Sequence, residues 1–210
     1  GQGAPAPAGS NPLFNGRNLV GWTAHWANPP LDDRPASALF TAENGVMHLY
    51  AADVAGSPQQ QAYLQTDADY RDYRLSLEYK WGEKKFPPRI EAVHDSGVVY
   101  HIYGARALDW PSGIEAQIQE GDTGDIIVIS AQGTSATLPE TGRYAAPKDG
   151  GVPRTIGQFG RSERIRHGAL NELPGQWNTL EIVVRGDTAT HIVNGFVNLR
   201  VTDLKQWDAA

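Results

Sequence analysis

Residues 114–119 alternate between apolar and polar side chains, the pattern of a β-strand with two different faces. The apolar side chains of Ile114, Ala116 and Ile118 are expected to face a core. The polar side chains between them then project from the opposite face: Glu115, Gln117 and Gln119. Because a row of polar groups that includes an acid suits a binding site better than a core, this face is the first candidate for function.

Similar short strands recur along the chain. Two hairpins are predicted where Asn-Gly pairs interrupt apolar segments, at Asn44-Gly45 and Asn194-Gly195. Further strands are predicted at 62–66, 73–81, 96–103, 126–130 and 177–185. Residues 131–172 carry few regular signals and are predicted to form a long loop. Many short strands without an amphipathic helix predict an all-β sandwich or jelly roll.

Length, charge and composition narrow the function. The 210 residues fit one β-sandwich domain over 11–210, preceded by a flexible Pro-rich tail at 1–10. The tail resembles either a mature N-terminus left after signal removal or a cloning remnant followed by a linker. The net charge of −6 argues against a nucleic-acid partner. No apolar run reaches the roughly 20 residues of a membrane span. Without cysteine, the chain has neither a disulfide nor a thiolate metal site.

Six segments in one order carry a resemblance to a known family. They are Leu13–Trp22, Asp72–Tyr79, Asp95–Val98, Ile114–Ile118, Gly175–Thr179 and His191–Gly195. Together they resemble the 3-keto-disaccharide hydrolase family, once catalogued as a domain of unknown function. The resemblance covers roughly residues 11–202.

The resemblance implies a fold and a substrate class. The expected fold is a concanavalin-like jelly-roll sandwich of two curved antiparallel sheets, with a carbohydrate site on the concave face. Family members act on 3-keto-glycosides, and some are lyases. Many are exported bacterial proteins, so a periplasmic or secreted location is expected. The expected partner is a carbohydrate, and the sequence does not determine the oligomeric state.

A ketone at sugar C3 makes the C2 proton acidic, so a base can start β-elimination of the C1 substituent. The reaction needs a base near C2 and an electrophile at the C3 oxygen. His101 and Glu115 have suitable side chains, either as catalytic groups or as ligands of a divalent metal such as calcium, manganese or zinc. Many family members have Asn and Arg where this chain has Asp95 and His101, which favours a base or metal role for His101.

Other polar and aromatic residues are candidates for the same site. Glu78 is a second candidate base, with Lys80 beside it on the same face of its strand; the alternative is a structural ion pair. The candidate substrate-binding residues are Lys80, Arg89, Gln117, Gln119, Trp110 and Tyr103. The competing interpretations are a solvated sheet face for Glu115 and Gln117, and a histidine bonded to a neighbouring strand for His101.

Two other functions fit the sequence. Glu115 and Glu120 resemble part of the Glu-x-Asp-x-x-Glu signature of laminarinase-type glycosidases, although Gln117 replaces the central Asp. That mechanism needs two carboxyl groups about 5 Å apart on one face. The second alternative is a non-catalytic carbohydrate-binding module. Glu120, Asp122 and Asp125 are closely spaced oxygen ligands that suit calcium, but their spacing does not fit an EF-hand loop, so the alternative is a set of solvated acids in a turn.

Overall fold

The computed structural model describes residues 8–104 and 110–207. Residues 1–7 of the predicted tail therefore lie outside the described residues. The chain divides into two compact units. The first consists of the residues up to Tyr70 together with Glu83–Ala92, and the second of Arg71–Gly82 together with the residues from Val93 onward.

The first unit contains two small antiparallel sheets. β1 (Trp22–Trp26) pairs with β4 (Ala62–Thr66), and β2 (Phe40–Glu43) forms a hairpin with β3 (Val46–Leu49). The predicted hairpin turn is confirmed, since Asn44 and Gly45 both have positive φ between β2 and β3. A short 3-10 turn at Ala36–Leu39 precedes β2.

The second unit is a sandwich of two antiparallel sheets, which confirms the predicted all-β fold class. Its strands are β5 (Arg74–Tyr79), β6 (Asp95–Tyr100), β7 (Gly113–Gln119), β8 (Ile126–Ile129), β9 (Ala131–Thr137), β10 (Val152–Ile156), β11 (Ser162–Ile165), β12 (Asn178–Arg185), β13 (Thr188–Val193) and β14 (Phe196–Gln206). One sheet has the order β10-β9-β14-β13-β12-β5, and the other has the order β11-β8-β7-β6.

The core lies between these two sheets. Buried side chains of the four-stranded sheet, such as Ile114, Ala116 and Val128, belong to one cluster with Leu180 and Val193 of the six-stranded sheet. In β12 the buried positions alternate with less buried ones, as the apolar periodicity predicts. The polar face of β7 is therefore the outer face of the four-stranded sheet.

The prediction of a long loop at 131–172 is wrong. This segment supplies β9, β10 and β11, and a 3-10 turn at Pro147–Asp149. The inward positions of β9 are small or polar, so the strand lacks the apolar periodicity that identifies a buried face in the sequence. Gly133 shows why they are small: a Cβ there would lie 2.9 Å from the Val201 side chain.

A histidine is buried within the sandwich. His191 Nε2 lies 2.8 Å from the Tyr100 hydroxyl, and Nδ1 lies 3.1 Å from the Gly124 carbonyl oxygen. Burial lowers the pKa of His191 to about 4, so the ring is neutral at pH 7. Nδ1–H then donates to Gly124, and the Tyr100 hydroxyl donates to Nε2. The pair links β13 to β6 and to the turn after β7.

His191 is expected to make the fold acid-sensitive. Its folded pKa of about 4 lies below the ordinary value, so its contribution to stability is present above about pH 6.5 and is lost as the pH falls towards 4. The loss is about 3 kcal/mol in the free energy of unfolding. Urea unfolding of His191→Gln between pH 7 and pH 4 should show a shallower loss than wild type. The control His48→Gln, at an exposed histidine, should keep the full slope; equal slopes for His191→Gln and wild type would contradict this role.

No helix in the described part of the chain has the length and apolar character needed to cross a bilayer.

Candidate active site

The outer face of the four-stranded sheet carries a row of side chains in register across all four strands. Arg164 of β11 pairs with Ile127 of β8, which pairs with Glu115 of β7, and Glu115 pairs with Val99 of β6. Gln117 is on the same face and is only 4% exposed. Glu115 is half-buried, so the interpretation of this row as a solvated sheet face is wrong.

A glycine opposite Glu115 makes room for its carboxyl group. Gly97 of β6 is the register partner of Gln117. A Cβ on Gly97 would lie 2.7 Å from the Glu115 carboxyl carbon, closer than real Cβ atoms approach other heavy atoms. The glycine in the segment Asp95–Val98 therefore allows the Glu115 side chain to lie over β6.

Gly97→Ala is expected to displace the Glu115 carboxyl group and to cost about 1–3 kcal/mol of stability, the usual range for overpacking. If Glu115 takes part in catalysis, activity should fall as well, because its carboxyl group moves. Ser96→Ala, at the exposed neighbouring position, is the control and should retain both properties. A Gly97→Ala protein with wild-type stability and activity would show that this close approach is not needed.

The environment of Glu115 changes its acidity. Burial, with a smaller contribution from the negative charge of Asp95, raises the pKa of Glu115 to about 7, while the Arg164 guanidinium opposes the rise. A carboxyl group with a pKa near 7 is half-deprotonated at neutral pH, which suits a general base or acid.

Asp95 and Gln117 form the polar surroundings of Glu115. Gln117 Nε2 donates to Asp95 Oδ1 over 3.1 Å. Gln117 Oε1 is buried and has no hydrogen-bond partner among the described residues. Buried amide oxygens in proteins normally accept a hydrogen bond or bind a cation, so a ligand hydroxyl or a cation would complete this one.

Arg164 is held at the edge of this face by two aspartates. Its Nε donates to Asp125 Oδ2 over 2.6 Å, and its Nη2 lies 2.5 Å from Asp125 Oδ2 and 3.1 Å from Asp122 Oδ2. Asp125 is fully buried, and its other oxygen accepts from the His167 backbone N–H over 2.7 Å. These contacts fix the guanidinium beside the row that contains Glu115.

Asp122, Asp125 and His167 are close enough together to hold a metal ion. Both Asp125 oxygens are already occupied, one by Arg164 and the other by the backbone and ring nitrogens of His167. Burial opposes ionisation of Asp125, but the His167 hydrogen bonds and the Arg164 charge together lower its pKa. In this arrangement the cluster positions the Arg164 guanidinium.

The predicted residues Glu78 and Lys80 are not brought to Glu115. Glu78 lies on β5, the edge strand of the other sheet, and it is exposed. Its neighbours Leu77 and Tyr79 pack against the core, so Glu78 points from the outer face of the six-stranded sheet. Lys80 lies two residues after Glu78, on the same side of the chain, and is also exposed. Alternation identified an outward face correctly in both strands, but the two faces belong to different sheets.

His101 follows β6 with a positive φ of 53° and is half-buried. Burial lowers its pKa, and the charge that opposes this shift is Asp72, whereas the charges that act on Glu115 are Asp95 and Arg164. Its Nε2 is buried and has no hydrogen-bond partner among the described residues. No pairing of His101 with Glu115 is found within 8–104 and 110–207, so the predicted metal pair has no structural support.

The remaining predicted residues have mixed positions. Gln119 lies opposite Asp95 in the β6–β7 ladder, at the end of the polar row. The Tyr103 hydroxyl donates to the Ser130 carbonyl oxygen and accepts from the Trp207 backbone N–H, so it is a scaffold contact. Trp110 is 37% exposed at the start of the segment that leads into β7. Arg89 is half-buried in the first unit.

The glycosidase pair Glu115 and Glu120 does not form. The β6–β7 register runs without a bulge from Tyr100↔Ile114 to Asp95↔Gln119. The strand from Glu115 to Gln119 already spans roughly 13 Å, and Glu120 follows in the turn after β7. Glu120 instead pairs with His94, whose Nδ1 lies 3.0 Å from Glu120 Oε2. The separation of about 5 Å that a retaining glycosidase needs is absent.

Sequence reasoning missed three members of this site: Asp95 as a charge partner, Gly97 as the space for Glu115, and Arg164. The first two lie in a segment whose pairing with β7 the sequence does not reveal. Arg164 lies on β11, a four-residue strand with only one buried apolar side chain, Ile165. A strand this short and charged has no recognisable period.

Comparisons with known proteins agree with this fold. The sequence matches the family described as the 3-keto-alpha-glucoside-1,2-lyase-like domain, over residues 9–210. The chain is similar in structure to a protein of Parabacteroides distasonis that is provisionally named a glycosyl hydrolase, with a TM-score of 0.50, 17% sequence identity, and coverage of 91% of this chain and 70% of that chain. At that identity the similarity concerns the fold alone. No curated protein matches the chain significantly.

Proposed function

The chain belongs to the 3-keto-alpha-glucoside-1,2-lyase-like family, and on that premise we propose that it cleaves 3-keto-glycosides by removing the C2 proton with Glu115. One observation carries the proposal: Glu115 is a half-buried carboxyl group with a pKa of about 7 on the outer face of the sheet. The ketone acidifies the C2 proton, and a carboxylate of this strength can remove it when the enolate charge is stabilised by a neighbouring electrophile.

The reaction divides into two steps. Deprotonated Glu115 takes the C2 proton, and the electron pair of the C–H bond passes into an enolate whose charge lies on the C3 oxygen. The pair then forms the C1–C2 double bond as the C1–O bond breaks, and the departing oxygen keeps the bonding electrons and takes up a proton. Addition of water to the resulting enone completes a net hydrolysis.

Arg164 is a cationic group on this face that would stabilise the enolate. Its Nε and Nη2 contact Asp125 and Asp122, which leaves Nη1 outside these contacts. A fixed guanidinium directed at developing charge stabilises the transition state more than the ground state. Asp95 and Gln117 are suited to hydroxyl groups of the sugar, because they present acceptors on the same face.

A divalent cation would be a second means of polarising the C3 oxygen. Asp95 and Gln117 Oε1 offer oxygen ligands beside Glu115, and oxygen ligands suit calcium or manganese better than zinc. A bound cation would supply Lewis-acid stabilisation of the enolate. If it is required, dialysis against EDTA abolishes activity and calcium or manganese restores it; unchanged activity leaves this task to Arg164.

The test is a comparison of two forms of one glycoside. Purified protein is incubated with a β-glucoside and with its 3-keto derivative, and release of the aglycone is followed. Consumption of the 3-keto form alone supports the proposal. Cleavage of the unoxidised glycoside supports ordinary glycoside hydrolysis, and binding without cleavage of either form supports a carbohydrate-binding module.

A further inference from the structure

The first unit contains a pocket of about 330 Å³, separate from the residues of the Glu115 site. We propose that this pocket is a second binding site, for a neutral polyhydroxylated ligand the size of one sugar ring. The inference does not rest on the proposed reaction, because all the lining residues belong to the first unit. The volume lies at the lower end of the range for small-molecule sites.

Charged and amide groups form one wall of the pocket. Arg34 Nη2 donates to Asp53 Oδ1 over 2.7 Å, and Gln60 Nε2 donates to Asp32 Oδ2 over 3.0 Å. Gln60 Oε1 in turn accepts from the Leu31 backbone N–H over 3.0 Å. These side chains are held in place before any ligand arrives, which reduces the entropy lost on binding.

Two polar atoms in this wall are left without hydrogen bonds. Asp53 Oδ2 is buried and has no partner among the described residues, and the Asp53 side chain is only 12% exposed. Arg34 Nε lies 3.3 Å from Asp32 Oδ2 but without the alignment of a hydrogen bond. Both atoms are buried, so a small rotation of the Asp53 or Arg34 side chain is needed to bring one of them to the pocket surface. The hydroxyl group of a sugar, which both donates and accepts, then matches either atom.

The charges of the pocket favour a neutral ligand. Asp32 and Asp53 are balanced by Arg34 and by Lys84, whose Nζ donates to the carbonyl oxygens of Tyr50, Ala51 and Asp53. Lys84 thereby also holds the loop that bears Asp53. Arg34 is already paired with carboxylates, so it is not available as the single cation that an acidic ligand or an amino-acid carboxylate would need.

The rim of the pocket is apolar. Leu31 is 63% exposed and Val54 is 75% exposed, and Pro58 also lines the opening. Apolar side chains beside polar groups suit a pyranose ring, which has a C–H face as well as hydroxyl groups. An inorganic ion would gain nothing from this rim.

The test is a ¹H–¹⁵N NMR titration of the full chain with D-glucose and with D-galactose, and separately with glycine and with calcium chloride. Saturable shifts at Asp53, Val54 and the Gln60 side-chain amide with at least one sugar are expected. Shifts with glycine or calcium alone would replace the sugar assignment, and an absence of shifts with both sugars up to their solubility limits would overturn it.

Variants distinguish the pocket from surface binding. Asp53→Asn should weaken sugar binding at least about tenfold, as expected when a hydrogen bond to a charged group is lost. Leu31→Ser, at a rim position that is 63% exposed, should weaken it about threefold. The control Asp33→Asn changes an exposed aspartate outside the pocket lining and should bind like wild type. Equal affinity in wild type, Asp53→Asn and Leu31→Ser would also overturn the proposal.

Discussion

Glu115→Gln is expected to lower the turnover of a 3-keto-glycoside by about 10²–10⁴-fold, the usual contribution of a general base. Glutamine keeps the size and hydrogen-bonding shape of the side chain but cannot accept the C2 proton. The matched control is Glu78→Gln, which changes an exposed glutamate on the outer face of the six-stranded sheet. It should retain wild-type turnover, and equal losses in the two variants would contradict the assignment of the base.

The pH dependence follows from the pKa of about 7. Glu115 acts as a base only when ionised, so kcat/KM should rise from acidic pH to a plateau with a midpoint near 7. Residual activity of Glu115→Gln should lack this rise. A midpoint near the ordinary glutamate value would mean that Glu115 is not the titrating base.

Stability should change in the opposite direction to activity. Because the folded pKa of Glu115 is raised, its contribution to stability is present below the unfolded value of about 4.5 and is lost as the pH rises through about 7. Glu115→Gln removes this cost and should unfold at a higher temperature than wild type at pH 8. A lower melting temperature at pH 8 would show that the ionised carboxylate is stabilised by its surroundings.

Arg164→Met is expected to have the second largest effect, on both stability and rate. It leaves fully buried Asp125 without its guanidinium partner, and breaking a buried ion pair in this way typically costs about 3–5 kcal/mol. It also removes the charge that restrains the pKa of Glu115, so the midpoint of the pH–rate profile should move above 7. Arg164→Lys keeps the charge and provides a folded variant if Arg164→Met does not fold.

The matched control is Arg166→Met. Arg166 also contacts Asp122, at 3.2 Å, but its side chain is 50% exposed. Exposed ion pairs contribute at most about 1 kcal/mol, so this variant should remain close to wild type in stability, turnover and pH midpoint. If Arg166→Met and Arg164→Met lose stability and turnover equally and share one pH midpoint, Arg164 does not have the role proposed for it beside Glu115.

The sequence predicted those strands whose apolar residues alternate regularly. β7, β12 and the two Asn-Gly hairpins were all found in this way. β9 was missed because small residues fill its inward positions, close to β14, and β11 because it has a single buried apolar residue. A hydrophobic period is visible only where a strand buries large apolar side chains. Strands that bury small residues, and short strands at a sheet edge, are therefore not detected by it.

The site was predicted only as far as one strand extends. Alternation in β7 identified Glu115 and Gln117 as sharing a face, and this is confirmed. The same reasoning also selected Glu78, which lies on the other sheet. Alternation within a strand gives no information about which sheet the strand joins. The pairing of neighbouring strands brings three further residues near Glu115: Asp95, Gly97 and Arg164. A single sequence does not specify the register of that pairing.

The most direct test of the central claim is proton exchange at C2. A 3-keto-glucoside is incubated with the protein in deuterated water, and the sugar is followed by proton NMR, with Glu115→Gln in parallel. If Glu115 removes the C2 proton, wild type should introduce deuterium at C2 or accumulate the enone, and Glu115→Gln should do neither. Cleavage by wild type with the C2 proton retained, or unchanged exchange in Glu115→Gln, would contradict the account.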